Sequence, residues 1–248
     1  VVLGVAASAD DVCDIISYTP FEIADQTFTG TIDITGELKT TTLGTSNFRA
    51  GVNAGNSITS GGNNNVVVGD EAGTAITTGD YNTAVGFSAA VATTTATYNT
   101  AIGWKSLLTN TTGGSNVALG ADALRANQTA SNNTALGKAA LTANTTGASN
   151  VAVGKDALLA NTEGVNNTAV GHLAGSAIID GGACTFIGEG AGLSTTADKN
   201  TFLGDTSGYY VTSGQKNTII GRFNGNENGL DIRTTNNNIV LSDGDGNP

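Results

Sequence analysis

Six carboxylates invite a catalytic reading first: Asp70, Glu71, Asp122, Asp156, Glu189 and Asp205. Two of them astride a glycosidic bond would supply the acid and the base or nucleophile of a polysaccharide-cutting spike. They are scattered, however, and one sequence column holds Asp70, Glu189 and Asp205 interchangeably with Lys138 and Lys155. His172 is the only histidine, and no Ser-His-Asp or Cys-His set can be built round it with any specificity. It reads as a solvated side chain. Cys13 and Cys184 are distant in sequence and read as small buried residues rather than a disulfide. In "SDGDGNP", Asp243, Asp245 and Asn247 alternate as in a calcium loop, but the closing glutamate is absent and a tight turn accounts for the stretch. Asn110, Asn132 and Asn144 open N-x-T triplets, which an Asn- and Thr-rich chain generates by composition alone. The expectation is a protein with no catalytic residue, metal site or cofactor.

Binding chemistry is better represented. Phe87 and Trp104 follow equivalent glycines, and Tyr81 and Tyr98 precede the asparagines of the same two segments. Exposed aromatic faces on a polar surface can stack on sugar rings, and they equally mark contact surfaces between subunits. Tyr81, Phe87, Tyr98 and Trp104 are therefore the candidate surface-binding residues, with packing at a subunit seam as the competing role.

The elements that position them come from a repeat. Glycines stand at 51, 69, 86, 103, 120, 137, 154, 171, 188, 204 and 221, with a step of 17 residues in most intervals. Four residues before each stands an asparagine, including the ladder Asn65, Asn82, Asn99, Asn116, Asn133, Asn150 and Asn167; Cys184 alone breaks the column. The unit is N-[TV]-A-[VIL]-G, a short β-branched run between turn-formers, which reads as a strand. A fixed short period means one structural unit stacked many times. A second glycine ten residues on marks another turn, and the segment between, such as "DALLAN", is too short for a helix. It reads as a second short strand. The fold class is all-β: a parallel β-solenoid, or β-roll, of about 17-residue coils. Residues 1–46 form a strand-rich linker or attachment segment, 47–225 the eleven repeats, and 226–248 a strand and turn segment leading to a further domain.

Composition narrows the partners. The net charge is −11 with only 12% charged residues, which counts against nucleic acid, since phosphate needs clustered Lys and Arg. No apolar run approaches the roughly 18 residues that cross a membrane. The chain begins at Val1, which suggests a fragment or processed product.

Three packing expectations follow. The asparagines of successive coils stack as a ladder about 4.8 Å apart. The aliphatic column before the glycine, Val153 among it, is the dry core, with the residue after the glycine, such as Lys155, outside. The column two before the glycine and the column four after it vary together: Ala101, Ala118, Ala135 and Ala152 accompany Leu107, Leu124, Leu141 and Leu158, whereas Phe186 and Phe202 accompany Gly192 and Gly208. Interiors keep nearly constant volume, so the two columns should share one compartment. Each coil supplies a thin core, and homo-oligomerisation about the rod axis is the natural remedy.

N-[TV]-A-[VIL]-G-x-x-A, from about Asn47 to Gly225, resembles the head repeats of trimeric autotransporter adhesins and related β-roll segments of phage tail fibres. The adhesin repeat is shorter than 17 residues. The resemblance implies a homotrimeric left-handed β-roll that binds surfaces. "FEIADQTFTGTIDITGELKTTTLGTSNF" (Phe21 to Phe48) and "GLDIRTTNNNIVLSDGDGNP" (Gly229 to Pro248) look like the segments that precede the repeats and the C-terminal chaperone domain in phage fibres. The expected function is a structural, receptor-binding, non-catalytic tail-fibre component located in the virion or at an extracellular surface, engaging a host glycan or protein receptor. A bacterial surface adhesin or extracellular filament subunit is the alternative, and a polysaccharide-degrading tailspike the third reading.

Overall fold

The computed structural model describes residues 44–248, so the expectation for residues 1–43 lies outside the described part. All described residues belong to one compact unit. Three-residue strands recur from Phe48–Ala50 to Thr218–Ile220, joined by Ile239–Leu241, in a single parallel sheet of twelve strands. Among the described residues there is no helix. Each strand pairs with that of the next coil in strict register, as in Thr100 with Val117, Ala101 with Ala118 and Ile102 with Leu119. The chain is a parallel β-solenoid. Because each coil pairs with its own successor, no coil of another chain is interleaved. Below, coils are numbered by their eleven glycines, Gly51 to Gly221.

The corner glycine is required twice over. From Gly86 to Gly204 its φ lies between 128° and 141°, a region that side chains disfavour. The glycines also stack: a Cβ on Gly120 would stand 2.5 Å from the Gly137 carbonyl oxygen.

The segment expected to be a second strand is a train of turns. Asp122 (φ 58°) and Leu124 (φ 49°) lie in the left-handed region, and alternating such residues with ordinary ones sustains neither a strand nor a helix. The backbone groups are satisfied within and between coils: Asn127 N–H donates to Leu124 C=O at 3.1 Å, and Leu124 N–H to Ala140 C=O at 3.0 Å.

The inside and outside of the strand are the reverse of the expectation. The middle residue points inward: Val67, Ala84, Ala101, Ala118, Ala135, Ala152, Ala169, Phe186, Phe202 and Ile219 are buried. The aliphatic residue before the glycine faces out, so that Ala118 is 0% exposed and Leu119 42%. Val153 is only half-buried and is not a core residue. Side chains alternate with period two, so neighbours in one strand cannot share a face. A 17-residue coil leaves a narrow interior, and the small residue fits it.

The expected shared compartment is present. Leu107, Leu124, Leu141 and Leu158 are buried in the same core as the inner row. In later coils a Cβ on Gly192 would meet the Phe186 ring at 2.6 Å, which is the volume Leu occupies in the middle coils.

The asparagine ladder forms as expected. Asn133 Oδ1 accepts the Asn150 N–H at 2.9 Å, and Asn133 Nδ2 donates to Gly147 C=O at 2.9 Å. This arrangement recurs along the column and continues to Asn238, whose N–H donates to Asn217 Oδ1 at 2.9 Å. Residues 226–248 thus contribute a twelfth rung and strand, after an antiparallel hairpin of Asn226–Glu227 and Leu230–Asp231. Cys184 keeps the incoming bond, donating its N–H to Asn167 Oδ1 at 3.0 Å, but offers Asn200 only its sulfur at 3.5 Å. Burial pushes its thiol pKa up to about 11.

A second ladder was not foreseen. Asn110, Asn127, Asn144 and Asn161 are fully buried, each amide nitrogen from Asn127 on donating to the preceding Oδ1 at 2.8–2.9 Å. The 17-residue spacing of these asparagines was visible, but N-x-T composition masked it. Burial denies Asn110 and Asn144 to glycosylation.

Candidate functional site

Among the described residues, nothing covers the outer face of the sheet. Each strand turns its first and third residues outward, giving a Thr/Val row beside a row of Val68, Val85, Ile102, Leu119, Leu136, Val153, Val170, Ile187, Leu203 and Ile220. Six of the ten residues of this second row are exposed outright and the other four only partly covered. At about 4.8 Å per strand, twelve strands make a face about 53 Å long. About seven residues span it from corner to corner, or roughly 20 Å. The resulting face has an area on the order of 1,000 Å², and the aliphatic row runs along it as a continuous exposed apolar stripe, which marks a contact surface.

Two corner columns frame this face. On the asparagine side stand Asn64, Tyr81, Tyr98, Ser115, Asn132, Ser149, Asn166, Ala183, Lys199 and Lys216; on the glycine side stand Asp70, Phe87, Trp104, Ala121, Lys138, Lys155, His172, Glu189, Asp205 and Arg222. The four candidate aromatics thus lie at opposite ends of the same two strands. Tyr81 and Tyr98 stack with centroids 5.0 Å apart and planes 2° from parallel. All four rings are exposed, and Lys105 Nζ sits 4.4 Å over the Trp104 ring, within cation–π range. The structure brings Tyr81 and Tyr98 together at one corner, while Phe87 and Trp104 stand on the same two coils at the other, with the sheet face between.

The carboxylates named from the sequence serve local contacts. Asp70 Oδ1 accepts the Val52 N–H at 3.1 Å, and Glu71 accepts an Asn53 amide proton at 2.8 Å. Asp156 pairs with Lys155 at 3.1 Å and Asp205 with Arg222 at 3.3 Å. His172 is partly exposed and lies 3.4 Å from Glu189. Among the described residues no His, Cys, Asp or Glu cluster is arranged to hold a metal ion. Asp243 is consumed by its own turn: Oδ1 accepts the Asp245 and Asn247 N–H groups at 3.0 and 2.9 Å, and Oδ2 the Asn247 side-chain amide at 2.9 Å. Those bonds hold the Asp243 carboxyl below its ordinary pKa. This is the turn that the sequence implied.

An open depression of about 350 Å³ lies beside the C-terminal hairpin, lined by Ser194, Tyr210, Thr212, Asp231, Arg233 and Thr234. Asp231 and Arg233 face each other there through two hydrogen bonds of 2.9 and 2.8 Å. Sequence reasoning passed over this region because its signal is a lengthened interval between coils, not a motif. Among the described residues no helix is long and apolar enough to cross a membrane.

No protein-family model, no curated protein and no solved structure matches the chain.

Proposed function

We propose that this chain is a structural and receptor-binding component of a fibre, the shaft or receptor-facing part of a phage tail fibre. In this reading it is adhesive, non-catalytic and homotrimeric, and acts in the virion or at an extracellular surface on a host glycan or protein receptor. One observation carries the assembly: the row from Val68 to Ile220 turns aliphatic side chains outward over the whole length of the sheet. A rod that served only as a monomeric spacer would place Thr or charge there. Shared between the two neighbours of a trimer, this face gives about 500 Å² per partner at each seam, or about 1,000 Å² in total, the threshold of a specific interface. The chain count and the phage assignment rest on the motif resemblance. The scattered carboxylates, each engaged in local contacts, support a binding role over a cutting one.

Sedimentation velocity tests the assembly. The expected result is a stable trimer at micromolar concentration, reduced to single chains by Leu119→Lys with Leu136→Lys, while the single chain keeps its β-sheet circular dichroism. A wild-type chain that sediments alone at tens of micromolar overturns it. Incubation with bacterial surface polysaccharides tests the role: retention of fibre without release of reducing ends is expected, and sugar release would favour the tailspike instead.

A further inference from the structure

The apolar rows cannot by themselves align two copies. Thr or Val and a branched aliphatic recur at every coil, so sliding one copy by a single coil restores nearly the same contacts. Something else must set the register. Given the self-association proposed above, we infer that Tyr81, Tyr98, Phe87 and Trp104 are the lock that sets it.

Where the sheet faces turn toward an axis parallel to the rod, an unslipped seam sets the asparagine-side corner of one copy against the glycine-side corner of the next at the same height and lets the ring close, whereas a slip repeated at every seam leaves an open helix. The pairs across the seam are then Tyr81 with Phe87, Tyr98 with Trp104, Ser115 with Ala121 and Lys199 with Asp205. Aromatic meets aromatic in the two coils that carry rings, and small meets small in the coil that follows. Opposite charges meet in the tenth coil. The eleventh opposes Lys216 and Arg222, but Arg222 is already paired with its own Asp205 at 3.3 Å. The charges alone would accept a slip of one coil, which pairs Lys199 with Glu189 and Lys216 with Asp205. The rings accept it only in part, because the same slip keeps one aromatic pair, Tyr98 with Phe87, but sets Tyr81 against Asp70 and Trp104 against Ser115. Aromatic pairs add to affinity beyond their buried area, and the rings cluster in only two coils, so the aligned state alone keeps both pairs.

The test is disulfide trapping in the full chain with Cys13→Ser, where buried Cys184 stays unreactive. Ser149→Cys with Lys155→Cys reports the aligned seam; Ser149→Cys with Lys138→Cys reports a one-coil slip. Within one chain either pair spans about 20 Å along the strand direction, beyond the roughly 7 Å reach of a disulfide, so every crosslink is between copies. The aligned pair should crosslink at least about tenfold faster than the slipped pair. Replacing Tyr81, Phe87, Tyr98 and Trp104 together by Ser should shrink that ratio to within about threefold. Trp104, the only tryptophan, should shift its emission to the blue on assembly.

A ratio unchanged by the Ser variant, or a slipped pair that dominates in the wild type, overturns the lock while leaving assembly intact. Single chains in sedimentation overturn assembly and the lock together. An assembled fibre whose Trp104 emission stays red and responds to added neutral oligosaccharide returns the rings to the role of a sugar-binding face.

Discussion

The middle coils and the later coils fill the same interior in opposite ways. In coils 4 to 7 the strand contributes Ala, and the turn contributes Leu107, Leu124, Leu141 and Leu158. In coils 9 and 10 the strand contributes Phe186 and Phe202, and the turn contributes Gly192 and Gly208. The backbone is shared: φ at this turn position is 49–52° for the leucines and 62–63° for the two glycines. A leucine held there costs about 1–2 kcal/mol, which burial of its side chain, about 1.5–3 kcal/mol, offsets. A glycine avoids the strain but leaves a void that only a large residue from the opposite wall can fill. The solenoid conserves interior volume and left-handed turn geometry, and it is indifferent to which wall supplies the atoms.

Breaking the later solution should give the largest effect. Phe186→Ala should cost about 4 kcal/mol by chemical denaturation, because Phe202, whose ring centroid lies 5.5 Å away, loses its partner. Gly192→Leu should cost about 3 kcal/mol, since its Cβ alone would stand 2.6 Å from the Phe186 ring. The double variant recreates the middle-coil solution, and it should be more stable than either single variant. A double-mutant cycle with no coupling would sink the shared-compartment account. In the middle, Leu124→Ala should cost about 2–3 kcal/mol, with no glycine partner able to rescue it.

The ladder sharpens the same contrast. Asn133→Ala removes the acceptor of Asn150 N–H and the donor to Gly147 C=O, both buried, and should cost about 2 kcal/mol. Cys184 is the weak rung of the later coils. Cys184→Asn should restore a full acceptor to Asn200 N–H and raise stability by about 1 kcal/mol. The smallest effect is on pH. The Cys184 thiol titrates at about 11 when folded, above its ordinary value of 9.0, because burial disfavours the thiolate. Its contribution is whole below pH 9 and is lost as pH rises through 11, where the unfolded chain ionises first. Thermal melts of wild type against Cys184→Ala should converge or cross in that window; parallel curves would place the thiol in contact with solvent.

The period, the strand within each coil, the corner glycines, the asparagine ladder and the Leu-for-Phe exchange were all legible in the order of residues. Each is a one-dimensional pattern with a local physical cause, whether a turn dihedral, a buried amide or a conserved volume. Which face of the strand is inside emerged from the packing of the coils. Reading the larger aliphatic as core, with Val153 buried, follows the usual ranking of hydrophobicity. It conflicts, however, with the volume exchange at the neighbouring Ala152 column, since period-two alternation allows just one of the two to point inward. The narrow coil resolves the conflict in favour of Ala, and the aliphatic row is left outside. The turn train at Asp122–Asn127 likewise escaped the sequence, because a leucine at positive φ, such as Leu124, is tolerated only where the surrounding coils bury it.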